Sequence, residues 1–461
     1  MLSRCTRLPG GWRLADDEAL NRHRMRRQPD RDQVQADPAD DIEARLVEQV
    51  PRHPALPLYR RDTANHAPAV RPRLHNRSRS PGLAGENAVV ATLPALSAAE
   101  TRAAEVLLAR AWGPGTSVRA AEPIWDRSHV VRLHLATGRS VVMKKRAGKD
   151  TFGAELGALE YLNGMPEPVA PRLLGADADA GILLMEDLGP GPSLADSLLT
   201  GDRSRVGADL VSYAEALGLM HAWSMGRPRD PGLGTPPWPD AVARGKDAFL
   251  GAAVSLGLAT VAAGTEIDQL SLLLNETRYH GLVHGDPCPD NVRFVDGRCR
   301  IFDFEHSGWG AVTLDASYLL APFPSCWCFG RLPASVAAPA MSAYHGRLEA
   351  AGIDAGPSWD VAMTAALGAW IVAWGDAIAK VVEEDAEWGT TTMRPRLLTW
   401  LRSFTSAAGR SGVLPGLRVL AGGLHERLSA RWPEAVIADY PALARPGSAQ
   451  VQVPDFWQPE V

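Results

Sequence analysis

One stretch decides the fold of this chain, residues 283–310, which reads VHGDPCPDNVRFVDGRCRIFDFEHSGWG. Its centre predicts a β-hairpin, because apolar residues alternate on both sides of Asp296-Gly297 and Asp-Gly suits the two positive-φ positions of a type I′ turn. Counting outward from that turn brings Asp303 back to about one residue from Asn291, some ~5 Å across a strand pair. The expected pairs are Val295 with Arg298, Val292 with Ile301 and Asn291 with Phe302.

Three polar side chains of this stretch are the candidate catalytic residues, Asp286, Asn291 and Asp303. A carboxamide and a carboxylate brought together by the hairpin supply oxygen ligands for Mg²⁺, so Asn291 and Asp303 are the candidate metal ligands. Asp286 precedes Asn291 by five residues on a Gly/Pro-rich loop. That spacing equals the kinase catalytic loop, in which the Asp accepts the substrate hydroxyl proton and the Asn holds metal. The competing interpretation is a surface hairpin with ordinary turn acids.

With Gly285 instead of Arg after the His, and Asp-Phe-Glu instead of Asp-Phe-Gly, the stretch resembles the aminoglycoside phosphotransferase/choline kinase family. These are small-molecule kinases of the protein-kinase-like fold, and the resemblance covers about residues 88 to 330. It implies an α+β fold of two lobes, a small N-lobe with an antiparallel sheet and a larger, mainly helical C-lobe. It also implies that ATP and Mg²⁺ bind between the lobes, and that Asp315 accepts backbone N–H groups from the catalytic loop. Glu305 is a further possible metal ligand.

The resemblance implies transfer of the γ-phosphate of ATP to a hydroxyl of a small molecule. Aminoglycoside, choline-like, sugar-like and homoserine-like acceptors all stay open. The alternatives are a catalytically inactive nucleotide-binding scaffold and a protein kinase. The second is disfavoured because no Ala-Pro-Glu follows Asp303 and the Gly-rich loop of protein kinases is missing from the sequence.

A predicted strand ending in Val-Val-Met-Lys144 resembles the Val-Ala-Ile-Lys strand whose Lys contacts the nucleotide phosphates. Alternation along a strand puts Lys144 and Lys145 on opposite faces, and we expect Lys144 to face the nucleotide. A shift of one residue in register would exchange them. On the following predicted helix, Glu155 resembles the Glu that orients this Lys, with Glu160 as the alternative.

Two more segments are expected at the nucleotide site. The turn between the first two predicted strands should cover the phosphates, and Ser128 is its candidate, although a plain hairpin Ser is equally compatible. The apolar strand ending in Met-Glu-Asp-Leu resembles the hinge between the lobes, which makes Glu186 and Leu188 candidates to bind adenine through their backbone groups. The sequence contains no Gly-x-x-x-x-Gly-Lys-Ser/Thr motif, which excludes the P-loop class of ATP site.

Local patterns predict the other elements. Ser97 and Glu100 form a capping box at the start of the first helix. The predicted helices are 97–112, 151–162, 210–223, 241–274, 338–351, 359–384, 394–408 and 415–428, and the predicted N-lobe strands include 117–125, 130–137 and 139–145.

Composition bounds the class of protein. The chain has 461 residues, 46% hydrophobic and 22% charged, which is typical of a globular protein. A net charge of -5 argues against general nucleic-acid binding, and the longest apolar run, residues 361–374, is too short to span a bilayer. Five scattered Cys predict reduced thiols rather than disulfides, and the expected location is the cytoplasm.

The expected organisation has four parts. Residues 1–85 are a disordered or dispensable extension, because their composition is Arg-, Asp-, Pro- and Ser-rich. Residues 86–188 form the nucleotide-binding N-lobe, and residues 189–445 form the C-lobe with the catalytic hairpin and the helical substrate region. Residues 446–461 are a tail.

Overall fold

The computed structural model of the protein describes residues 96–124, 129–146, 148–200, 203–275, 277–445 and 447–452. The predictions for residues 1–85 and for Ser128 lie outside these ranges.

The N-terminal lobe is an antiparallel sheet of five strands packed against helices. Its elements are α1 (Ala98–Trp112), β1 (Val118–Pro123), β2 (Val130–Leu135), β3 (Ser140–Lys145), α2 (Lys149–Leu162), β4 (Leu173–Asp177) and β5 (Ile182–Glu186). The strands run in the order β1-β2-β3-β5-β4, and every neighbouring pair is antiparallel. At the start of α1, the Ser97 hydroxyl accepts from the Glu100 N–H and the Glu100 carboxylate accepts from the Ser97 N–H, so the predicted capping box is confirmed.

The larger C-terminal lobe is mainly helical. It begins with α3 (Leu194–Leu199), α4 (Arg203–Met225), α5 (Trp238–Ser255) and α6 (Val261–Leu274). The strands β6 (His280–Val283), β7 (Val292–Val295), β8 (Arg298–Ile301) and β9 (Gly308–Ala311) follow, then α7 (Thr313–Ala316), α8 (Ala334–Ala350), α9 (Pro357–Ala373) and α10 (Gly375–Glu383). The lobe ends with β10 (Glu387–Trp388), β11 (Thr391–Thr392), α11 (Met393–Ser411) and α12 (Pro415–Arg431). The predicted α+β architecture of two lobes is confirmed.

The hairpin around Asp296-Gly297 has the predicted register. Strand β7 pairs with β8 so that Val292 lies opposite Ile301 and Val295 opposite Arg298. Asp296 and Gly297 have φ of 50° and 75°, the positive values that a type I′ turn requires. A second strand pair, β6 with β9, holds the two ends of the surrounding stretch together.

Two predicted helices are each divided in the structure. The expected helix over 241–274 ends at Ser255, and Gly257 has a φ of 71°, which a continuing helix does not permit. The expected helix over 359–384 is α9 and α10, which meet at an angle of 53°. Gly375 begins α10 so close to α5 that a Cβ on it would lie 2.0 Å from the Gly245 carbonyl oxygen, so the packing of α10 on α5 requires glycine at this position.

Among the described residues, no single helix is long and apolar enough to cross a membrane, and the bent pair α9–α10 meets that test only when the two helices are counted together.

The prediction of reduced thiols is wrong for Cys288 and Cys326, which form a disulfide with a Cα–Cα distance of 5.7 Å. The two residues are 38 positions apart in sequence, and the fold brings the loop after β6 against the segment after α7. Cys299 and Cys328 are buried free cysteines.

Candidate active site

An ion-paired cluster joins the two lobes at Lys144. Its Nζ lies 2.6 Å from Oε1 of Glu155 on α2 and 2.6 Å from Oδ1 of Asp303, which follows β8. Lys145 points to the opposite face of the sheet, where it pairs with Glu100 of α1. Glu155 is therefore the acid that contacts Lys144, whereas Glu160 is exposed on α2.

Arg146 belongs to the same cluster, and the sequence pattern alone did not identify it. Its guanidinium donates to Oε2 of Glu155 at 3.2 Å and to Oδ1 of Asp303 at 2.5 Å, and it also pairs with Glu305. Burial would lower the pKa of Arg146, but the three carboxylates raise it. The period of two along an extended chain could have identified it, since Arg146 is two residues after Lys144.

The pKa values of Asp303 and Glu305 are shifted in opposite directions. Burial would raise the pKa of Asp303, but Lys144 and Arg146 hold it below its ordinary value. Burial and the neighbouring Asp303 raise the pKa of Glu305. Asp303 also has a φ of 70°, an uncommon backbone conformation for a residue with a side chain. Such local strain is concentrated at functional sites, where the surrounding structure maintains it.

Asp315 binds the backbone of the His284–Gly285 loop, as predicted. Its carboxylate accepts the N–H groups of His284 at 2.6 Å and Gly285 at 3.0 Å. Gly285 has a φ of 85°, and a Cβ on it would lie 2.2 Å from the carbonyl oxygen of His306, so this position requires glycine. His221 of α4 is fully buried, and its Nε2 lies 3.2 Å from Oδ2 of Asp315.

Asn291 connects the catalytic loop to the hairpin. Its side-chain Nδ2 donates to the main-chain carbonyl oxygen of Asp286 at 2.9 Å, and its main-chain carbonyl oxygen accepts from the Phe302 N–H at 3.0 Å. The hairpin therefore brings Asn291 beside the residue that precedes Asp303. The Oδ1 of Asn291 and the carboxylates of Asp303 and Glu305 are hard oxygen donors, a set that fits Mg²⁺.

Asp286, half-buried on the loop, has two further partners that the sequence pattern did not indicate. Its Oδ1 accepts from Oη of Tyr318 at 3.2 Å and from the hydroxyl of Ser325. These residues are 32 and 39 positions from Asp286 in sequence, so no local pattern indicates the contacts.

The hinge candidates lie at the end of β5. The carboxylate of Glu186 accepts from Arg300 at 2.8 Å and from the Arg172 N–H at 3.0 Å, which links the hinge to the catalytic hairpin. Leu188 follows in a half-buried position. The side chain of Glu186 thus contacts the C-lobe, and its predicted role toward adenine concerns its backbone.

A Lys on a small antiparallel sheet that pairs with a Glu on helix α2, a His-Gly-Asp loop in a helical lobe, and an Asp at the end of a hairpin define a phosphotransferase of the kinase-like class. The sequence matches the family model described as APH, "Phosphotransferase enzyme family", over residues 120–350. Because that match spans half of the 461 residues, the chain belongs to this family.

Several solved structures are similar to the chain. A candidate aminoglycoside phosphotransferase from Ralstonia eutropha is 16% identical with a TM-score of 0.46, covering 72% of this chain and 98% of its own. An aminoglycoside phosphotransferase from Alicyclobacillus acidocaldarius is 13% identical with a TM-score of 0.38, and the match covers 68% of this chain and 93% of that protein. Choline kinase from Cryptosporidium parvum is 13% identical with a TM-score of 0.41, and the match covers 66% of this chain and 93% of that protein. No curated protein matches the sequence. Since these TM-scores lie below 0.5, the family assignment depends on the family match.

Proposed function

We propose that this enzyme transfers the γ-phosphate of ATP to a hydroxyl group of a small molecule, with Mg²⁺ bound by Asn291 and Asp303. The observation that carries the proposal is the contact of Lys144 with Asp303 at 2.6 Å, because it joins the lysine of the N-lobe strand to the acid of the C-lobe hairpin. Phosphoryl transfer requires such positioning and charge neutralisation rather than covalent chemistry by the protein.

Each residue of the cluster has a proposed part. Lys144, oriented by Glu155, would bind phosphate oxygens of the nucleotide, and the backbone of Glu186 and Leu188 would bind adenine. Mg²⁺ held by Asn291 and Asp303 would neutralise charge on the phosphates, and Glu305, which pairs with Arg146 as Asp303 does, would add a carboxylate.

Asp286 is the proposed base. Its carboxylate would take the proton of the acceptor hydroxyl as that oxygen forms a bond to the γ-phosphorus. The bond between the γ-phosphorus and the bridging oxygen breaks at the same time, and its electron pair leaves with ADP. General-base assistance of this kind contributes ~10²–10⁴-fold to the rate.

The division of the chain follows from these roles. Residues 86–188 would bind the nucleotide, and residues 189–445 would supply the catalytic hairpin and the acceptor region, with residues 1–85 and 446–461 outside the catalytic unit. The proposed acceptor is a small hydroxylated molecule such as an aminoglycoside, choline-like amine or sugar. We propose a cytoplasmic location, where ATP is available. Disulfides are rare in that compartment, and both half-cystines of Cys288–Cys326 are buried away from its reducing thiols.

Substitution of the two acids tests the proposal, because they should fail in different ways. Asp303→Asn should weaken Mg·ATP binding and also abolish turnover, whereas Asp286→Asn should leave Mg·ATP affinity nearly intact and lower kcat by ~10²–10⁴. The measurements are titration calorimetry with Mg·ATP and ADP release with hydroxylated metabolites and antibiotics. Asp296→Asn, at the exposed hairpin turn, is the matched control and should change neither quantity.

Two results would contradict the proposal. If the wild-type enzyme does not bind Mg·ATP, the kinase function is wrong. If it binds Mg·ATP but Asp286→Asn matches its rate with every accepted substrate, the assignment of the base is wrong.

A further inference from the structure

We propose that Tyr318 and Ser325 are positioning residues that orient Asp286 toward the acceptor hydroxyl. We further propose that the Cys288–Cys326 disulfide and Arg396 hold Ser325 in place. This inference rests on the proposed function, in which Asp286 is the base.

The contacts at Asp286 form a closed triangle. Both hydroxyls donate to the same carboxylate oxygen, Oδ1, and the hydroxyls of Tyr318 and Ser325 lie 2.8 Å from each other. Rotation about the last bond of an Asp side chain is broad and roughly two-fold, so an Asp without such donors is poorly oriented. Two donors on Oδ1 select one orientation and direct Oδ2 toward the acceptor.

Tyr318 is a rigid donor. It is fully buried, and its ring packs edge-on against Trp370 with centroids 5.2 Å apart. Burial, followed by the nearby charge of Asp286, raises its pKa well above the ordinary value, so the hydroxyl keeps its proton and remains a donor.

Ser325 lies on a short segment, residues 323–329, here called the Ser325 segment, which is fixed on two sides. On the side of the catalytic loop, the disulfide joins Cys326, the next residue after Ser325, to Cys288, two residues after Asp286. Both half-cystines are buried. The segment begins at Phe323, whose φ of 46° is unusual for a residue with a side chain, so the surrounding contacts must maintain its conformation.

On the opposite side, the Ser325 segment is held by Arg396 of α11. Its guanidinium donates to the carbonyl oxygens of Cys326 at 2.6 Å, Trp327 at 3.1 Å and Trp388 at 2.7 Å. Arg396 is fully buried, and burial lowers its pKa to about 9, which leaves it charged at neutral pH. A buried charge is costly unless it is hydrogen-bonded, so the three bonds from its terminal nitrogens favour a fixed arrangement of these carbonyl groups, while its Nε has no partner among the described residues.

The chain of contacts gives the C-terminal helices a part in the chemistry. Arg396 lies beyond residue 350, where the family match ends, and it reaches Asp286 through the Cys326 carbonyl and the neighbouring Ser325. The region outside the matched family segment therefore sets the orientation of the base.

Ser325→Ala and Tyr318→Phe each remove one donor to Asp286. Each should lower kcat about tenfold, which corresponds to about 1.4 kcal/mol of lost transition-state stabilisation, and should leave the Kd for Mg·ATP unchanged because the hydroxyls bond Asp286. Ser325→Thr keeps the hydroxyl and should restore most of the rate. If Tyr318 and Ser325 only supported the fold, their loss would not lower kcat at unchanged Mg·ATP affinity, and Ser325→Thr would not restore the rate.

The matched control is a second Tyr–Ser pair. The hydroxyls of Tyr279 and Ser358 also lie 2.8 Å apart, with one residue buried and the other half-buried, and their hydrogen bonds do not involve Asp286. Tyr279→Phe and Ser358→Ala remove the same groups, so their thermal melting should shift comparably while kcat stays at the wild-type value.

Turnover is measured as ADP release from Mg·ATP with kanamycin, choline and homoserine as acceptors, and with water as the acceptor in their absence. If Asp286→Asn lowers turnover while Ser325→Ala and Tyr318→Phe behave like the controls, the inference is overturned and the proposed function stands. The inference is likewise overturned if Ser325→Thr is as slow as Ser325→Ala. If the wild type releases no ADP with any acceptor, water included, the proposed function fails and the inference fails with it.

Discussion

Replacement of Lys144 by Met removes the charge of this residue while keeping most of its length. Lys145→Met is the matched control one residue along β3, because the two ammonium groups lie on opposite faces of the same strand. Lys144 bonds Glu155 and Asp303 inside the cluster, and Lys145 pairs with Glu100 near the protein surface.

The structure gives different magnitudes for the two losses of stability. Removing one partner of a buried ion pair costs ~3–5 kcal/mol of unfolding free energy. For Lys144→Met the cost should be lower, about 2–3 kcal/mol, since Arg146 still bonds Glu155 and the Asp303 side chain is 33% exposed. For Lys145→Met it should be below ~1 kcal/mol, because the side chains of Lys145 and Glu100 are 42% and 21% exposed.

The effect on the nucleotide should separate the two variants further. Losing a hydrogen bond from an ammonium to a phosphate oxygen costs ~1.5–3 kcal/mol, so Lys144→Met should raise the Kd for Mg·ATP about 10- to 100-fold. Lys145→Met should leave that Kd unchanged.

Urea denaturation at pH 7 and titration calorimetry with Mg·ATP measure both quantities on the same preparations. Calorimetry is performed below the melting range of the less stable variant, so that a loss of affinity is not a loss of folded protein. If Lys145→Met weakens Mg·ATP binding as much as Lys144→Met does, the assignment of Lys144 as the phosphate-binding residue is refuted.

Three further predictions concern regions outside the cluster. Lys145, more than any other group, lowers the pKa of Glu100 to about 2, so this pair contributes stability above the ordinary pKa of 4.5, and that contribution is lost as pH falls toward 2. The stability difference between wild type and Lys145→Met should therefore shrink between pH 5 and pH 3 in urea denaturation, and a constant difference would contradict it. Cys326→Ser opens the covalent loop that the disulfide closes over 38 positions, and it should lower the unfolding free energy by up to about 4 kcal/mol. Unchanged stability of this variant would contradict the prediction. Deletion of residues 1–85 should leave the melting temperature and Mg·ATP affinity unchanged, and a fall of several degrees would show that this extension packs on the fold.

The sequence predicted those parts of the site that local chemistry determines. The hairpin register followed from Asp296-Gly297, because the two positive-φ positions fix where the strands turn. Alternation along a strand placed Lys144 and Lys145 on opposite faces without tertiary information, and the resemblance to the Val-Ala-Ile-Lys strand selected Lys144 as the one that faces the nucleotide. Arg146 obeys the same alternation, and it could have been found by extending the pattern past the end of β3.

The missed contacts depend on tertiary structure. Tyr318, Ser325 and Cys326 meet the catalytic loop from more than 30 positions away, and their placement depends on the β6–β9 pairing and the helices behind it. The bend between α9 and α10 lies where Gly375 approaches Gly245, and the glycine in the sequence is a local signal by which the break could have been predicted.

The composition of the charged cluster indicates what it is built to receive. Lys144 and Arg146 supply two positive charges, and Glu155, Asp303 and Glu305 supply three negative ones, all joined by ion pairs. A polyphosphate without a metal would compete for the two cations and leave buried acids without partners, which is costly. A divalent ion without phosphates would compete for the acids and leave the cations unpaired. A metal bound to a polyphosphate would exchange both sets of partners at once, so under the proposed function we expect the cluster to bind the metal–nucleotide complex better than either component alone.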